Sequence, residues 1–200
     1  LGPLAVYFLI LGMLNLTPRP FLTTGGRDWG ALGVALSGMV IAGPMELFFP
    51  EYAANTFGPF VWAMLLALYL LLVLLIALLA RPRLVVYNAS LSEFRQVLDE
   101  CLPNLDKDGH WLGDTFVLPN INVQAHLEPF GALRNLQVVA SGPRQSHAGW
   151  RHLEMALALK LRETRVSPNP YGFTQLTVSL LMLLAIVFYA SSDQQAVVQS

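Results

Sequence analysis

The sequence predicts a membrane protein with four transmembrane α-helices and a small cytoplasmic α+β domain between the third and fourth. Three observations predict it. Of the 200 residues, 54% are hydrophobic and only 12% charged, which is too apolar for an ordinary soluble domain. The apolar residues gather in runs at 30–49, 57–80 and 171–190, with a fourth at 1–16. About 20 helical residues, rising 1.5 Å each, cross the roughly 30 Å of hydrocarbon in a bilayer. Finally, a chain threaded through these runs leaves all 12 Lys and Arg residues on one side. Cytoplasmic loops retain Lys and Arg, so that side is the expected cytoplasm.

The chain opens on Leu1, already inside an apolar run. Residues 1–16 are therefore expected to be a span whose first turn lies before residue 1. Basic residues follow it rather than precede it, the reverse of a signal peptide. Thr17-Pro18-Arg19-Pro20 ends the helix, because the residue before Pro is driven from α geometry and Pro donates no N–H. Residues 17–29 read as a short cytoplasmic loop holding Arg19 and Arg27.

The second span is expected at 30–49, an outer loop with Glu51 at 50–56, and the third span at 57–80. Residues 61–79 contain no charge, Asn, Gln, Gly or Pro, a purity that points to lipid. Phe57, Phe60 and Trp62 form an aromatic belt at the outer end, and Arg81-Pro82-Arg83 stops the span on the cytoplasmic side.

Residues 83–166 are mixed, charged and patterned, the size of a small domain. Residues 83–87 read as a strand. Ser90-Leu91-Ser92-Glu93 is a capping box, and Phe94, Val97, Leu98, Cys101, Leu102 and Leu105 follow at helical spacing. Two or three meandering strands come next, at 115–118, 121–127 and 136–140. In the middle one Ile121, Val123, Ala125 and Leu127 alternate with Asn122, Gln124 and His126, as in a half-buried antiparallel strand. Ser146 caps a last helix to about Thr164, with Trp150, Leu153, Leu157 and Leu161 on one stripe. The expected order is strand, helix, strand meander, helix. Pro168 and Pro170 then interrupt the chain ahead of the fourth span at 171–190, and 191–200 form an outer tail.

Chemistry-bearing residues are few. Glu46 lies near the outer end of the second span, where a carboxylate is costly in hydrocarbon. It is the candidate ion or proton site, against the plainer reading of a Glu reaching the outer headgroups. Ala31, Ala35, Gly38 and Ala42 run along that span at small-xxx-small spacing, a strip that lets another helix approach closely. Through it the chain is expected to meet a protein partner or a second copy of itself.

His126 and Glu128 share one strand face, near Asn122 and Gln124, and could bind a metal or act as the acid–base pair of a membrane-bound enzyme, though no third ligand stands at suitable spacing. Polar alternation on a solvated sheet face produces such pairs without any function. Asn104, Asp106, Asp108 and Gly109 resemble the opening of a calcium loop, but Thr115 stands where the bidentate Glu is required. A helix-to-strand turn explains the same letters. The single cysteine, Cys101, excludes an internal disulfide and reads as a small core residue.

No dinucleotide, phosphate-loop, nucleophile-elbow or zinc-protease motif is present, so no cofactor is expected. The lipid bilayer is an expected partner, and with no basic cluster nucleic acid is not. The reading favoured by the sequence is a non-catalytic scaffold, assembly or regulatory subunit that holds an α+β domain at the membrane. Its alternatives are a proton- or cation-coupled transport component using Glu46 and an enzyme with its site near His126 and Glu128.

Overall fold

The computed structural model describes residues 1–42, 55, 56, 58, 60–130, 134–143 and 145–198. The elements are α1 (Gly2–Leu16), β1 (Phe21–Thr24), α2 (Gly25–Ala42), α3 (Phe60–Leu79), β2 (Arg83–Tyr87), α4 (Leu91–Leu105), β3 (His110–Leu112), β4 (Thr115–Leu118), β5 (Val123–Phe130), β6 (Asn135–Ala140), α5 (His147–Glu163) and α6 (Tyr171–Val198). They divide into two compact units. Residues 1–12, 29–79 and 173–200 form one, and residues 13–28 and 80–172 the other.

The second unit is built on a six-stranded antiparallel sheet in the order β1-β2-β6-β5-β4-β3. Strands β4, β5 and β6 form the anticipated meander, β3 adds an edge strand that was not anticipated, and β2 lies beside β6. Alternation sorts the sheet's side chains. Leu84, Val86, Phe116, Leu118, Val123, Ala125, Leu136 and Val138 point to one face and are nearly inaccessible there. Phe94, Leu98 and Leu102 of α4 join them in one core with Trp150, Leu153 and Leu157 of α5.

Both helices carry the caps their sequences announce. Ser90 and Glu93 complete a reciprocal capping box, and the Ser146 hydroxyl accepts from the Gly149 N–H. Gly149 is needed for a second reason: a Cβ there would run into the Ile121 carbonyl oxygen.

Residues 17–29 are not the plain loop expected. Residues 21–24 form an edge strand, with Phe21 opposite Tyr87 and Thr24 opposite Leu84. Helix α2 then starts at Gly25, five residues ahead of its expected beginning. Thr24 caps it, its hydroxyl accepting from the Arg27 N–H at 3.4 Å. Asp28 in the first turn suits the positive end of the helix dipole and accepts a hydrogen bond from the Tyr87 hydroxyl. The sheet therefore recruits its sixth strand from the segment between the first two helices.

The other unit is helical. Among the described residues two helices are long and apolar enough to cross a membrane: residues 60–79, with mean hydropathy 2.9, and residues 171–192, with 2.0. Only 6% of either apolar window is buried within the protein, and Leu78, Leu79, Val187 and Phe188 are all more than 60% exposed. The four expected spans thus reduce to two that meet the requirement. Helix α1 has 15 residues, shorter than the roughly 20 a crossing needs. Helix α2 carries Arg27 and Asp28 in its first turn, and residues 43–54, which would continue the span, lie outside the described residues. Helix α6 runs on to Val198, through most of the expected outer tail.

Polar clasps join these helices in pairs. The buried Ser179 hydroxyl of α6 donates to the Ala5 carbonyl of α1 at 2.8 Å. The Tyr69 hydroxyl of α3 donates to the Gly33 carbonyl of α2 at 2.8 Å. Val73 fills the space a side chain at Gly33 would need, which is how small residues bring helix backbones close.

Candidate functional site

On β5, Gln124, His126 and Glu128 occupy the face opposite the core. His126 Nε2 and Glu128 Oε1 lie 2.6 Å apart, with the side chains about one-third and one-half exposed. The expected pair is therefore a hydrogen-bonded couple partly open to solvent. Thr115 and Val139 flank His126, and Gln137 flanks Glu128. Asn122 and Gln124 do not join the couple. They line a separate cleft of about 220 Å³ with Val117, Leu118 and Pro119. The polar face is thus divided, and the couple does not line that cleft. Among the described residues no three His, Cys, Asp or Glu side chains converge to hold a metal.

The Asn-Asp-Gly segment after α4 is a turn closed on its own donors. Asp106, 4% exposed, accepts from the Asp108 N–H at 3.0 Å, the Asn120 N–H at 2.7 Å and the Asn120 amide at 2.5 Å. Burial pushes its carboxyl upward, but these hydrogen bonds and one from the Ile121 N–H outweigh that and hold it below the usual range. A carboxylate already surrounded by N–H donors pins the β4–β5 turn to the end of α4. Cys101 is likewise structural. Burial, with help from Glu100, raises its thiol against the opposing charge of Lys160, so the reactive thiolate is suppressed.

A third polar group was not anticipated. Arg134, whose backbone has φ +49°, donates to both Glu93 oxygens at 2.9 and 3.1 Å. It also donates to the Ser167 hydroxyl at 2.8 Å and the Ser167 carbonyl at 3.1 Å. Glu93 in turn completes the α4 cap through Ser90. Partial burial pushes the Glu93 carboxyl upward, but hydrogen bonds from Ser90 and Arg134, with the Arg134 charge, hold it below its ordinary value.

Close in sequence, Asn88 has φ +57° and is fully buried. Its amide donates to the Thr17 carbonyl at 2.7 Å. The Val166 N–H reaches the Pro18 carbonyl at 3.0 Å, and the Asn169 N–H reaches the Asn15 carbonyl at 2.8 Å. The proline-containing segment before α6 is therefore stitched to the segment that follows α1. The available signal was a pair of asparagines, Asn15 and Asn169, each placed beside an apolar run. Both are nearly inaccessible to solvent.

The candidate strip on α2 is used within the chain. Ala35 is buried, while a side chain at Gly38 would press on Pro3 of α1 and on the backbone of Leu1 just before it. Ala31 remains exposed. Glu46 and the side chain of Ala42 lie outside the described residues.

Comparison with known proteins finds no match to the chain among family models, curated proteins or solved structures.

Proposed function

We propose that the protein is a multi-pass integral membrane protein whose apolar helices hold the α+β unit at the cytoplasmic face, where it acts as a non-catalytic scaffold, assembly or regulatory subunit. The observation that carries this reading is the exposure of α3 and α6. Two helices of this hydropathy with 6% of their apolar windows buried are unlike the core helices of a soluble protein. Their surface requires lipid or another apolar partner. In the proposed topology α1 and α2 complete four spans, α2 continuing beyond Ala42.

Tethering supports the scaffold role. The chain passes between the helical and α+β units four times, near residues 12, 28, 79 and 172. The segment before α6 joins the last junction to the first through hydrogen bonds inside the α+β unit. Partner contact through the α2 strip is proposed at its exposed side, near Ala31 and Val34.

Purification of the full chain from native membranes in mild detergent tests the reading. A scaffold or assembly subunit is expected to leave the membrane fraction only with detergent and to bring stoichiometric protein partners. Recovery in the soluble fraction, or as a lone monomer from membranes, contradicts it.

A further inference from the structure

We propose that a cleft in the α+β unit, between the end of α1 and the segment before α6, binds the headgroup of an anionic phospholipid. The cleft has a volume of about 450 Å³. Leu14, Pro18, Pro20 and Phe21 give it apolar walls, and Arg19 and Arg165 also line it. The lining contains no carboxylate.

Arg27, Arg95, Arg134 and Lys160 each pair with an acidic side chain. Arg19 and Arg165, like Arg81, Lys107, Arg151 and Arg162, are exposed and have no side-chain ion pair or hydrogen bond among the described residues, and these two alone line the cleft. They converge from positions 146 residues apart because the Val166 N–H is bonded to the Pro18 carbonyl at 3.0 Å. Two exposed arginines lining one cleft attract an anion to it. Arg is suited to phosphate because its planar donors bond two oxygens at once.

The walls make the ligand amphiphilic. A free phosphate would use the arginines and leave Leu14 and Phe21 facing water, whereas a phospholipid presents a phosphate joined to glycerol and acyl carbons. Position agrees with this. Arg19 stands three residues past the end of apolar α1, and Arg165 six residues before the start of α6. At the ends of membrane helices those are headgroup positions. This step of the argument rests on the membrane reading above.

The test uses the full chain in a neutral detergent, titrated with dioctanoyl phosphatidylglycerol, dioctanoyl phosphatidylcholine or inorganic phosphate and read by native mass spectrometry. The anionic lipid is expected to bind about tenfold more tightly than the zwitterionic one, the difference made by one charge-assisted contact. The double variant R19Q/R165Q is expected to abolish that preference at unchanged melting temperature. Equal binding of the two lipids by the unaltered chain overturns the proposal. So does displacement of the lipid by an equal concentration of phosphate, or a correctly folded R19Q/R165Q that keeps the preference. The comparison of ligands on the unaltered chain decides the matter even where the variant fails to fold. A chain that sits in membranes yet shows no headgroup preference fails this proposal alone.

Discussion

Replacing Asp106 by Asn exchanges an acceptor oxygen for an amide that meets the donors of Asn120 and Asp108. The loss is expected to be about 1–3 kcal/mol, the cost of leaving buried donors unmatched, read as a lower melting temperature in detergent. An unchanged melting temperature would show that Asp106 does not pin the β4–β5 turn. The same carboxylate and Glu93 make a prediction about pH. Both are held below their ordinary values in the folded protein. Their contribution is therefore complete above the unfolded values, about 4, and is lost as the pH falls through the folded values. Stability should decline on acidification below that point, and less steeply in the Asp106→Asn variant.

Arg134 and Glu93 are each partly exposed, so solvent screening keeps their coupling to about 1 kcal/mol in a double-mutant cycle. Arg134→Ala loses more than that, because the Ser167 contacts go as well. A positive φ costs an ordinary residue about 1–2 kcal/mol, which those contacts have to exceed. A cycle showing no coupling would contradict the bridging role.

Among the elements, α5 gives the sharpest case. A glycine inside a helix usually gains about 1 kcal/mol on replacement by alanine. Gly149→Ala should have the opposite sign. The new methyl meets the Ile121 carbonyl, a backbone atom that cannot rotate away, and overpacking of this kind costs about 1–3 kcal/mol. A rise in melting temperature would show that α5 has room to move from the β4–β5 turn.

The elements also show what the sequence can reveal. Helices α4 and α5 were legible because cap and stripe agree in each: Ser90 with Glu93, and Ser146 with Trp150, Leu153, Leu157 and Leu161. Strand β5 was legible from its alternation, but it begins at Val123 rather than at 121, because Ile121 and Asn122, the latter with φ +52°, belong to the turn before it. Strand β1 was not, because four residues between Pro20 and Gly25 are too short to display a period, and pairing with β2 supplies the reason to extend. The start of α2 was hidden by Gly25, Gly26 and Arg27, which resemble a loop. The signal that locates it is weaker: Thr24 as a cap and Asp28 in the first turn. Arg134 was hidden for another reason. Its partners, Glu93 and Ser167, are 41 and 33 residues away, and no local pattern encodes a bridge of that kind.

At the scale of the whole molecule, the apolar runs revealed the most and the site the least. Length and purity marked α3 and α6 because lipid demands both, whereas α1 and α2 are shorter or begin with charge. The expected couple of His126 and Glu128 formed, since alternation puts both on one face, but the cleft that Asn122 and Gln124 line formed elsewhere. The proposed function rests on a topology. In that topology the α+β unit faces the cytoplasm, a claim resting on where the Lys and Arg residues fall.

Thiol labelling of a single introduced cysteine tests that claim most directly. Asp114 has a side chain 89% exposed, and the native Cys101 is buried, so Asp114→Cys in a Cys101→Ser background gives one reactive position in the α+β unit. A membrane-impermeant maleimide is predicted to leave it unlabelled in intact cells and to label it fully once the membrane is permeabilised. Equal labelling before and after permeabilisation would put the unit outside the cell and contradict the account.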